Sequence, residues 1–288
     1  MSVPIFGAVL VTGATGNVGQ PLVTALSAAG DHVLEGLTAP IGEHAASTRA
    51  RTLDFYKPAT FVPSLEGVDR VFLMRPPPIS DTKRYIRPFV EAMTDAGIRH
   101  VVLLSLMGVN RAMPHWQIKQ DLRASGIAWT FLRPAFFSQN LGGAYRNGIR
   151  LHNRIRLASG RGRTSFIDAR DIADVAARVF ADTTAHAGAA YTLTGPEAIG
   201  YHTVASTLSA ALGRPIRYEP IGLLRYRREL RAAGLPSDYV NVQLLINVVA
   251  KLGRAATIDP TLSHLLGRPA RTLQTYIDDN VHLWTPST

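Results

Sequence analysis

Three glycines near the start of the chain have the spacing of a phosphate-binding loop. They lie in Val11–Gly19. This segment begins within Ala8–Thr12, a short apolar run typical of a buried parallel strand, and continues beyond it. Gly13 permits a tight turn, Gly16 lets the backbone approach a pyrophosphate, and Gly19 lets the following helix pack closely on the strand. The start of that helix also favours phosphate charge. The predicted dinucleotide site includes the rest of the loop, namely Thr15, Asn17 and Val18.

The elements that must position this loop alternate along the first half of the chain. Strand-like apolar runs lie at Ala8–Thr12, His32–Leu37, Val71–Met74, Val101–Leu104 and Trp129–Leu132. Apolar residues at helical spacing separate them, as in His115–Ala124. Strands that alternate with helices imply a parallel sheet with helices on both faces, the doubly wound Rossmann-type α/β architecture.

The pattern changes after Pro134. Helical spacing and strand-like runs recur less regularly, at Ile172–Phe180, Tyr191–Leu193, Val204–Leu212 and Leu244–Val249. We therefore predict a dinucleotide-binding Rossmann domain over residues 1–150 and a smaller mixed α/β substrate lobe over 151–288, with 164–195 returning to the sheet. The lobe is expected at the carboxyl edge of the sheet, where ligands of such folds bind.

Composition limits the classes of function. The chain has no cysteine, which excludes disulfides, thiolate metal sites and a cysteine nucleophile. Its formal charge is +10, and arginines cluster at 146–170 and 214–231. Such clusters suit a polyanion or an anionic substrate, but no nucleic-acid motif accompanies them, so a solvated basic surface is the favoured interpretation.

Targeting and membrane signals are weak. The first 30 residues carry no charged side chain, but they also lack a positive n-region, and the glycine loop interrupts their apolar run. The longest later apolar stretch, Val240–Ala250, is too short to cross a bilayer. The sequence predicts a cytoplasmic protein without a membrane or nucleic-acid partner, and a homodimer is the candidate assembly.

The loop and seven further segments together resemble the NmrA-like branch of the atypical short-chain dehydrogenases. The resemblance covers about residues 5–275. The segments that carry it are Thr12–Gly19, Leu53–Phe55, Phe72–Pro77, Leu104–Gly108, Thr130–Phe137 with Asn140, Gly160–Arg163, Asp168–Ala173 and Tyr191–Pro196. This family contains quinone, azo and iminium reductases as well as redox-sensing regulators without turnover. The resemblance thus implies the fold more strongly than the activity.

The resemblance also shows where this chain departs from the ordinary catalytic pattern. Short-chain dehydrogenases use serine, tyrosine and lysine, and the tyrosine precedes the lysine by four residues. Here Ser105 matches the serine, whereas His115 and Arg111 stand at the lysine and tyrosine positions. Ordinary alcohol–ketone chemistry is therefore in doubt, since no phenol is placed to move a proton. Reduction of a quinone, enone or iminium needs less help, because the acceptor is already electrophilic.

His115 has two alternative roles. Its charge changes near neutral pH in an ordinary setting, so it is a candidate proton donor. Alternatively it only positions the nicotinamide ribose or caps its helix. Lys119 lies one helical turn later and is interpreted as a solvated lysine, because lysines are rarely buried.

The resemblance places further residues around a cofactor. Asp54 and Phe55 match the pair that frames the adenine, although Asp54 is equally well explained as a turn residue. Thr38 stands where many relatives carry an arginine for the 2′-phosphate of NADPH, and Arg49 or Arg51 is the alternative phosphate ligand. The choice between NADP and NAD is left open, with a slight preference for NADPH. The remaining predicted cofactor contacts are Arg75 and Pro134.

A flat apolar substrate would contact aromatic and sulfur-containing side chains. The resemblance implies that this surface consists of Met107, Trp116, Phe136, Phe137 and Asn140. The histidines show no metal-ligand spacing, so no metal site is predicted. The sequence favours an NAD(P)H-dependent reductase of a conjugated or aromatic small molecule. The alternatives are a non-catalytic NAD(P) sensor and a non-redox enzyme, such as a cyclase, on the same fold.

Overall fold

The computed structural model describes residues 7–38 and 48–285, except for the side chains of Thr48 and Arg49. Its contacts divide the chain into two compact units. The first consists of Met1–Pro134 and Ala169–Leu193, and the second of Ala135–Asp168 and Thr194–Thr288.

The first unit is built on a seven-stranded sheet in which every adjacent pair is parallel. In chain order the strands of both units are β1 (Ala8–Thr12), β2 (Val33–Leu37), β3 (Thr48–Thr52), β4 (Val68–Met74), β5 (His100–Leu104), β6 (Ala128–Pro134), β7 (Phe136–Phe137), β8 (Arg154–Leu157), β9 (Arg163–Ile167), β10 (Ala189–Leu193), β11 (Ala198–Gly200) and β12 (Arg217–Pro220). The sheet order is β10-β6-β5-β4-β1-β2-β3. The direction of winding reverses beside β1, so the loop after β1 opens at the switch point of the sheet.

Helices cover both faces of this sheet. In chain order the helices of both units are α1 (Gly19–Ala28), α2 (Phe61–Leu65), α3 (Thr82–Tyr85), α4 (Arg87–Asp95), α5 (Pro114–Ala124), α6 (Arg146–His152), α7 (Ala169–Ala181), α8 (Thr183–His186), α9 (Tyr201–Leu212), α10 (Leu223–Ala232), α11 (Ser237–Lys251), α12 (Thr261–Leu266) and α13 (Leu273–Asp279). Helices α1 and α7 pack together. On the opposite face, residues of α2, α4 and α5 share one core with alternate residues of the strands, such as Leu10, Val71 and Leu103. The alternation follows from strand geometry, because successive side chains point to opposite faces.

The second unit is a mixed α/β assembly with its own core. Strands β11, β9 and β7 form one sheet, in which β7 is parallel and β11 antiparallel to β9. Strands β12 and β8 form a parallel pair. Helix α9 and the fully buried Trp284 contribute to the core, where the indole Nε1 of Trp284 donates to the carbonyl oxygen of Leu141 at 2.9 Å.

The predicted α/β fold with a Rossmann-type parallel sheet is confirmed. The boundaries of the units differ from the predicted ones. The first unit ends at Pro134 rather than at 150, and the chain rejoins it at Ala169 rather than at 164. The reason is strand pairing. Strands β7 and β9 pair with each other in the second unit, whereas β10, which follows α7, pairs with β6 in the sheet of the first unit.

Candidate active site

The glycine loop connects β1 to α1. Gly13 has a φ of +65°, a left-handed conformation that favours glycine, and its carbonyl oxygen accepts from the backbone N–H of Gly16 at 2.9 Å. A Cβ on Gly19 would clash with the Gly13 carbonyl oxygen and lie 2.8 Å from the Cα of Ala14. A Cβ on Gly16 would meet only the Gly13 oxygen, at 3.1 Å. Gly19 is thus required by packing inside the protein, whereas a Cβ at Gly16 would have only this one close neighbour.

The start of α1 is the positive end of its helix dipole, and there the Gln20 N–H donates to the Gly16 carbonyl oxygen at 3.0 Å. No side chain caps the helix at Val18, and its first turn contains no acidic residue. The first N–H groups of a helix lack partners within the helix and carry a partial positive charge. Thr15 and Asn17 are exposed beside them. This arrangement fits a pyrophosphate.

The other predicted cofactor residues lie at the same edge of the sheet. Each follows or ends a parallel strand, and parallel strands have their carboxyl ends at one edge. They are Thr38 after β2, Asp54 and Phe55 after β3, Arg75 after β4 and Pro134 at the end of β6. The predicted catalytic residue Ser105 follows β5 at the same edge.

Asp54 and Phe55 have different surroundings. The Oδ1 of Asp54 accepts from the Tyr56 N–H at 2.9 Å, and its Oδ2 lies 3.5 Å from the Nζ of Lys57. The carboxylate therefore organises the turn after β3. The ring of Phe55 is buried, with its centroid 5.4 Å from that of Phe89 in an edge-to-face contact. That ring is part of the core, so the predicted role beside an adenine can apply only to the Phe55 backbone.

Two arginines, Arg49 and Arg51, are the alternative predicted ligands of a cofactor phosphate. The Nε of Arg51 is buried and has no hydrogen-bond partner among the described residues. Arg51 lines a cavity of about 290 Å³ with Thr52, Thr60 and Ser64. The side chain of the alternative ligand, Arg49, lies outside the described residues.

The side chain of Arg75 is hydrogen-bonded to the loop that follows β4. Its Nη1 donates to the carbonyl oxygens of Pro76, Pro77 and Ile79 at 3.1, 3.0 and 2.5 Å. Burial lowers the pKa of its guanidinium. The side chain thus holds a proline-rich turn, and its charge acts on its surroundings, including His115.

Ser105 and His115 are both buried in the first unit. The Oγ of Ser105 has no hydrogen-bond partner among the described residues. His115 lies in the first turn of α5 and is 6% exposed. Burial, followed by the charges of Arg75 and Lys119, lowers the pKa of His115 to about 3. The expectation that its charge changes near neutral pH is therefore wrong: the ring is neutral there and can still donate one N–H.

The predicted substrate residues belong to both units. Met107 and Trp116 are half-buried in the first unit, where the Met107 N–H donates to the carbonyl oxygen of Pro134 at 3.0 Å. In the second unit, Phe136 lies edge-to-face on Phe166, with centroids 5.5 Å apart. Its neighbours Phe137 and Asn140 are also half-buried. The role of these residues in substrate binding stays a prediction.

Comparison with known families identifies the dinucleotide. A family model described as NAD(P)H-binding matches residues 13–183, more than half of the chain, and begins at the first glycine of the loop. This chain belongs to that NAD(P)H-binding family. The resemblance to NmrA-like atypical short-chain dehydrogenases is confirmed.

Relatives of this NAD(P)H-binding protein cover nearly its whole length. An NAD(P)H azoreductase of Xenophilus azovorans is 32% identical over 92% of this chain and 94% of its own. A (4-alkanoyl-5-oxo-2,5-dihydrofuran-3-yl)methyl phosphate reductase of Streptomyces griseus is 31% identical over 96% of this chain and 99% of its own. The structure of the Escherichia coli quinone oxidoreductase QOR2 with NADPH has a TM-score of 0.82 at 24% identity, covering 95% of this chain and 99% of that one.

The structure corrects the interpretation of Lys119. This side chain is only 8% exposed, and its Nζ lies 5.7 Å from the centroid of the Phe131 ring. Burial, followed by the charges of Arg133 and Arg123, lowers its pKa to about 8. The prediction of a solvated lysine is wrong. The only signal in the sequence was the four-residue spacing from His115, which places both side chains on one face of α5.

Among the described residues, no helix combines the length and apolar character needed to cross a membrane.

Proposed function

We propose that this NAD(P)H-binding protein is a reductase that delivers hydride to a conjugated or aromatic small molecule. The observation that carries the proposal is the family match at the glycine loop, together with two relatives above 30% identity that are both reductases. An azo group and an acyl-dihydrofuranone are both conjugated acceptors. Quinones, enones and iminium compounds share that electrophilic character.

The loop and the start of α1 would hold the dinucleotide phosphates through backbone N–H groups. Bound NAD(P)H supplies the hydride, and the protein supplies binding and orientation. NADPH is the preferred form in this proposal, because Arg51 has a buried Nε without a partner among the described residues and lines a cavity beside the turn after β3. An arginine in that position suits the 2′-phosphate of NADPH.

Ser105 would act on the acceptor, and His115 would position the cofactor. As hydride arrives at a quinone, enone or azo group, negative charge develops on the acceptor oxygen or nitrogen, whereas an iminium is neutralised. The Oγ of Ser105, which has no partner among the described residues, is a donor suited to that charge, whereas neutral His115 would position the cofactor through one N–H. Arg75 and Lys119 add positive potential at His115, as their effect on its pKa indicates. In this proposal the product takes its proton from water, because His115 is not an imidazolium at neutral pH.

The decisive experiment measures NAD(P)H oxidation with a panel of quinones, enones, iminium compounds and azo dyes. We expect turnover above the rate without enzyme for at least one class. Ser105→Ala should lower kcat by roughly tenfold to a thousandfold, the scale for loss of one donor to developing charge, with little change in cofactor affinity. Ser80→Ala, on the loop after β4, is the matched control.

The same panel distinguishes the alternatives. Tight dinucleotide binding with no turnover would favour the sensor, and product formation that is independent of cofactor redox state would favour non-redox chemistry. Absence of dinucleotide binding would contradict both the reductase and the sensor.

A further inference from the structure

The connection between β5 and α5 carries an arginine that the proposed function does not use. Arg111 stands where short-chain dehydrogenases have their tyrosine, four residues before His115. Two hydrogen bonds fix the turn around it. The Oδ1 of Asn110 accepts from the Ala112 N–H at 2.9 Å, and the Asn110 carbonyl oxygen accepts from the Met113 N–H at 3.0 Å. Arg111 is therefore held on a defined turn just before α5.

The side chain of Arg111 lies over an indole ring. Its Cζ is 6.0 Å from the centroid of the Trp116 ring, at the range of a cation–π contact. Trp116 lies in the first turn of α5 and is half-buried. A guanidinium has five N–H donors, and a contact with a ring leaves most of them available for another partner.

Arg111 has no negative partner in the described part of the chain. The side chain is exposed, and it forms neither an ion pair nor a hydrogen bond with any described residue. Residues 98–120 include no aspartate or glutamate, but they include three arginine or lysine residues. The next acidic residue, Asp121, has its Oδ1 3.0 Å from the Nη2 of Arg87. The charge of Arg111 is therefore available to a ligand.

This connection lies where ligands of the fold bind. It leaves β5 at the carboxyl edge of the sheet and begins at Ser105, the proposed donor to the acceptor. The Met107 N–H donates to the Pro134 carbonyl oxygen at 3.0 Å, so the start of the connection is fixed to the end of β6. Trp116 directly follows His115, which the proposed function places at the cofactor. One segment thus carries the proposed donor, an aromatic ring and a free cation.

We propose that Trp116 and Arg111 select acceptors that carry an oxyanion group, a carboxylate or a sulfonate, on their aromatic or conjugated skeleton. The indole contacts the flat skeleton, and the guanidinium pairs with two oxygens of the oxyanion. This inference rests on the proposed reductase function, for which it names the class of substrate. A neutral acceptor contacts Trp116 but gains nothing from Arg111, so the charge of the acceptor decides the preference.

Two dyes of nearly equal shape test this preference. Methyl orange is an azobenzene sulfonate, and its sulfonamide analogue replaces one charged oxygen with a neutral amino group. Equilibrium dialysis measures the dissociation constant of each dye with the NADP⁺-loaded protein, in which no hydride is available. We expect the native protein to bind the sulfonate roughly fivefold more tightly than the sulfonamide, the upper scale of an exposed ion pair. The difference should shrink as sodium chloride is added. The matching carboxylate and carboxamide dyes show which oxyanion is preferred.

Substitutions assign the preference to one residue. Arg111→Gln should remove it, with the affinity for the sulfonamide changed by less than about twofold. Arg84→Gln is the matched control, because Arg84 is also an exposed arginine over a ring of the first unit, with its Cζ 5.2 Å from the centroid of Tyr85. This control loses the same charge and should keep the preference. Trp116→Leu should weaken the binding of both dyes alike.

An unchanged preference in Arg111→Gln overturns the proposal. A native protein that binds both dyes equally, or binds neither, overturns it as well. The dialysis involves no turnover, so the reductase assignment fails separately. A protein that shows the preference but oxidises NAD(P)H with no acceptor contradicts only the reductase. Where the sulfonate dye is reduced, Arg111→Gln should raise its KM by roughly fivefold at nearly unchanged kcat, the pattern for loss of uniform binding.

Discussion

The pKa of His115 differs from the value that the sequence alone suggests. A histidine in water titrates near neutral pH, but burial and the charges of Arg75 and Lys119 lower the pKa of this one to about 3. Its imidazolium form is therefore scarce between pH 5 and 8, where a proton donor would be needed. Of its two alternative roles, positioning is the one that a neutral ring can fulfil.

His115→Gln tests this role, since glutamine keeps a donor and an acceptor but no titratable ring. We expect weaker dinucleotide binding, by roughly tenfold, for loss of one buried hydrogen bond, and a smaller loss in kcat at saturating cofactor. The native rate should show no histidine-dependent change between pH 5 and 8. Fluorescence titration and initial rates measure both quantities. A hundredfold loss in kcat at unchanged affinity, with a rate that declines through pH 6–7, would restore the proton-donor role.

At the scale of elements, the connection between β1 and α1 leaves different amounts of space for a side chain at Gly19 and at Gly16. The Cβ of an alanine at Gly19 would lie 2.7 Å from the carbonyl carbon of Gly13, which cannot move without displacing β1 or α1. An alanine at Gly16 needs a shift of only a few tenths of an ångström, because its one near neighbour is the Gly13 oxygen at 3.1 Å.

The two alanine variants should therefore fail in different ways. Gly19→Ala is expected to lose about 1–3 kcal/mol of stability, the range for overpacking, whereas Gly16→Ala should unfold like the native protein. Gly16→Ala should instead bind NADH and NADPH at least tenfold more weakly, because its Cβ occupies the approach to the pyrophosphate. Denaturant unfolding and fluorescence titration separate the two effects. Native affinity in Gly16→Ala would contradict the placement of the pyrophosphate on this loop.

At the scale of the whole molecule, two buried histidines link stability to pH. His100 lies on β5, and its Nε2 is 2.9 Å from the Oγ1 of Thr130. Thr130 donates its single hydroxyl proton to the carbonyl oxygen of His186, so the Nε2 of His100 must be the donor to Thr130. Burial, with smaller contributions from the charges of His186 and Arg70, lowers the pKa of His100 to about 4.

Acid should destabilise the protein over a defined range. An unfolded histidine takes up a proton below about pH 6.5, whereas folded His100 and His115 do so only near pH 4 and 3. The free energy of unfolding should thus fall as pH drops from about 6 to 4, by up to about 1.4 kcal/mol per pH unit for each histidine. Denaturant unfolding at several pH values measures the slope. His115→Gln should remove one share of it, and His152→Gln, at an exposed position of α6, serves as the control. A slope in His115→Gln equal to that of the native protein would contradict the linkage.

Local patterns in the sequence were enough to predict the parallel sheet and the loop. The apolar runs that became β1 and β5 are buried on both faces, so their composition alone distinguishes them from their surroundings. Strand β3 escaped prediction because its sequence, Thr-Arg-Ala-Arg-Thr, is polar, as an edge strand allows. The two-residue strand β7 escaped because its pairing with β9 joins residues about 30 positions apart.

The sequence by itself determined the Rossmann-type fold, the position of the glycine loop and the NAD(P)H-binding family. These depend on short-range spacing and on the polarity of consecutive residues, which the chain carries locally. Only the tertiary structure decided the protonation of His115, the burial of Lys119, the core position of the Phe55 ring and the point at which the chain changes unit. Each of these depends on which distant side chains surround a group, and desolvation and Coulomb interactions follow distance in space rather than separation along the chain.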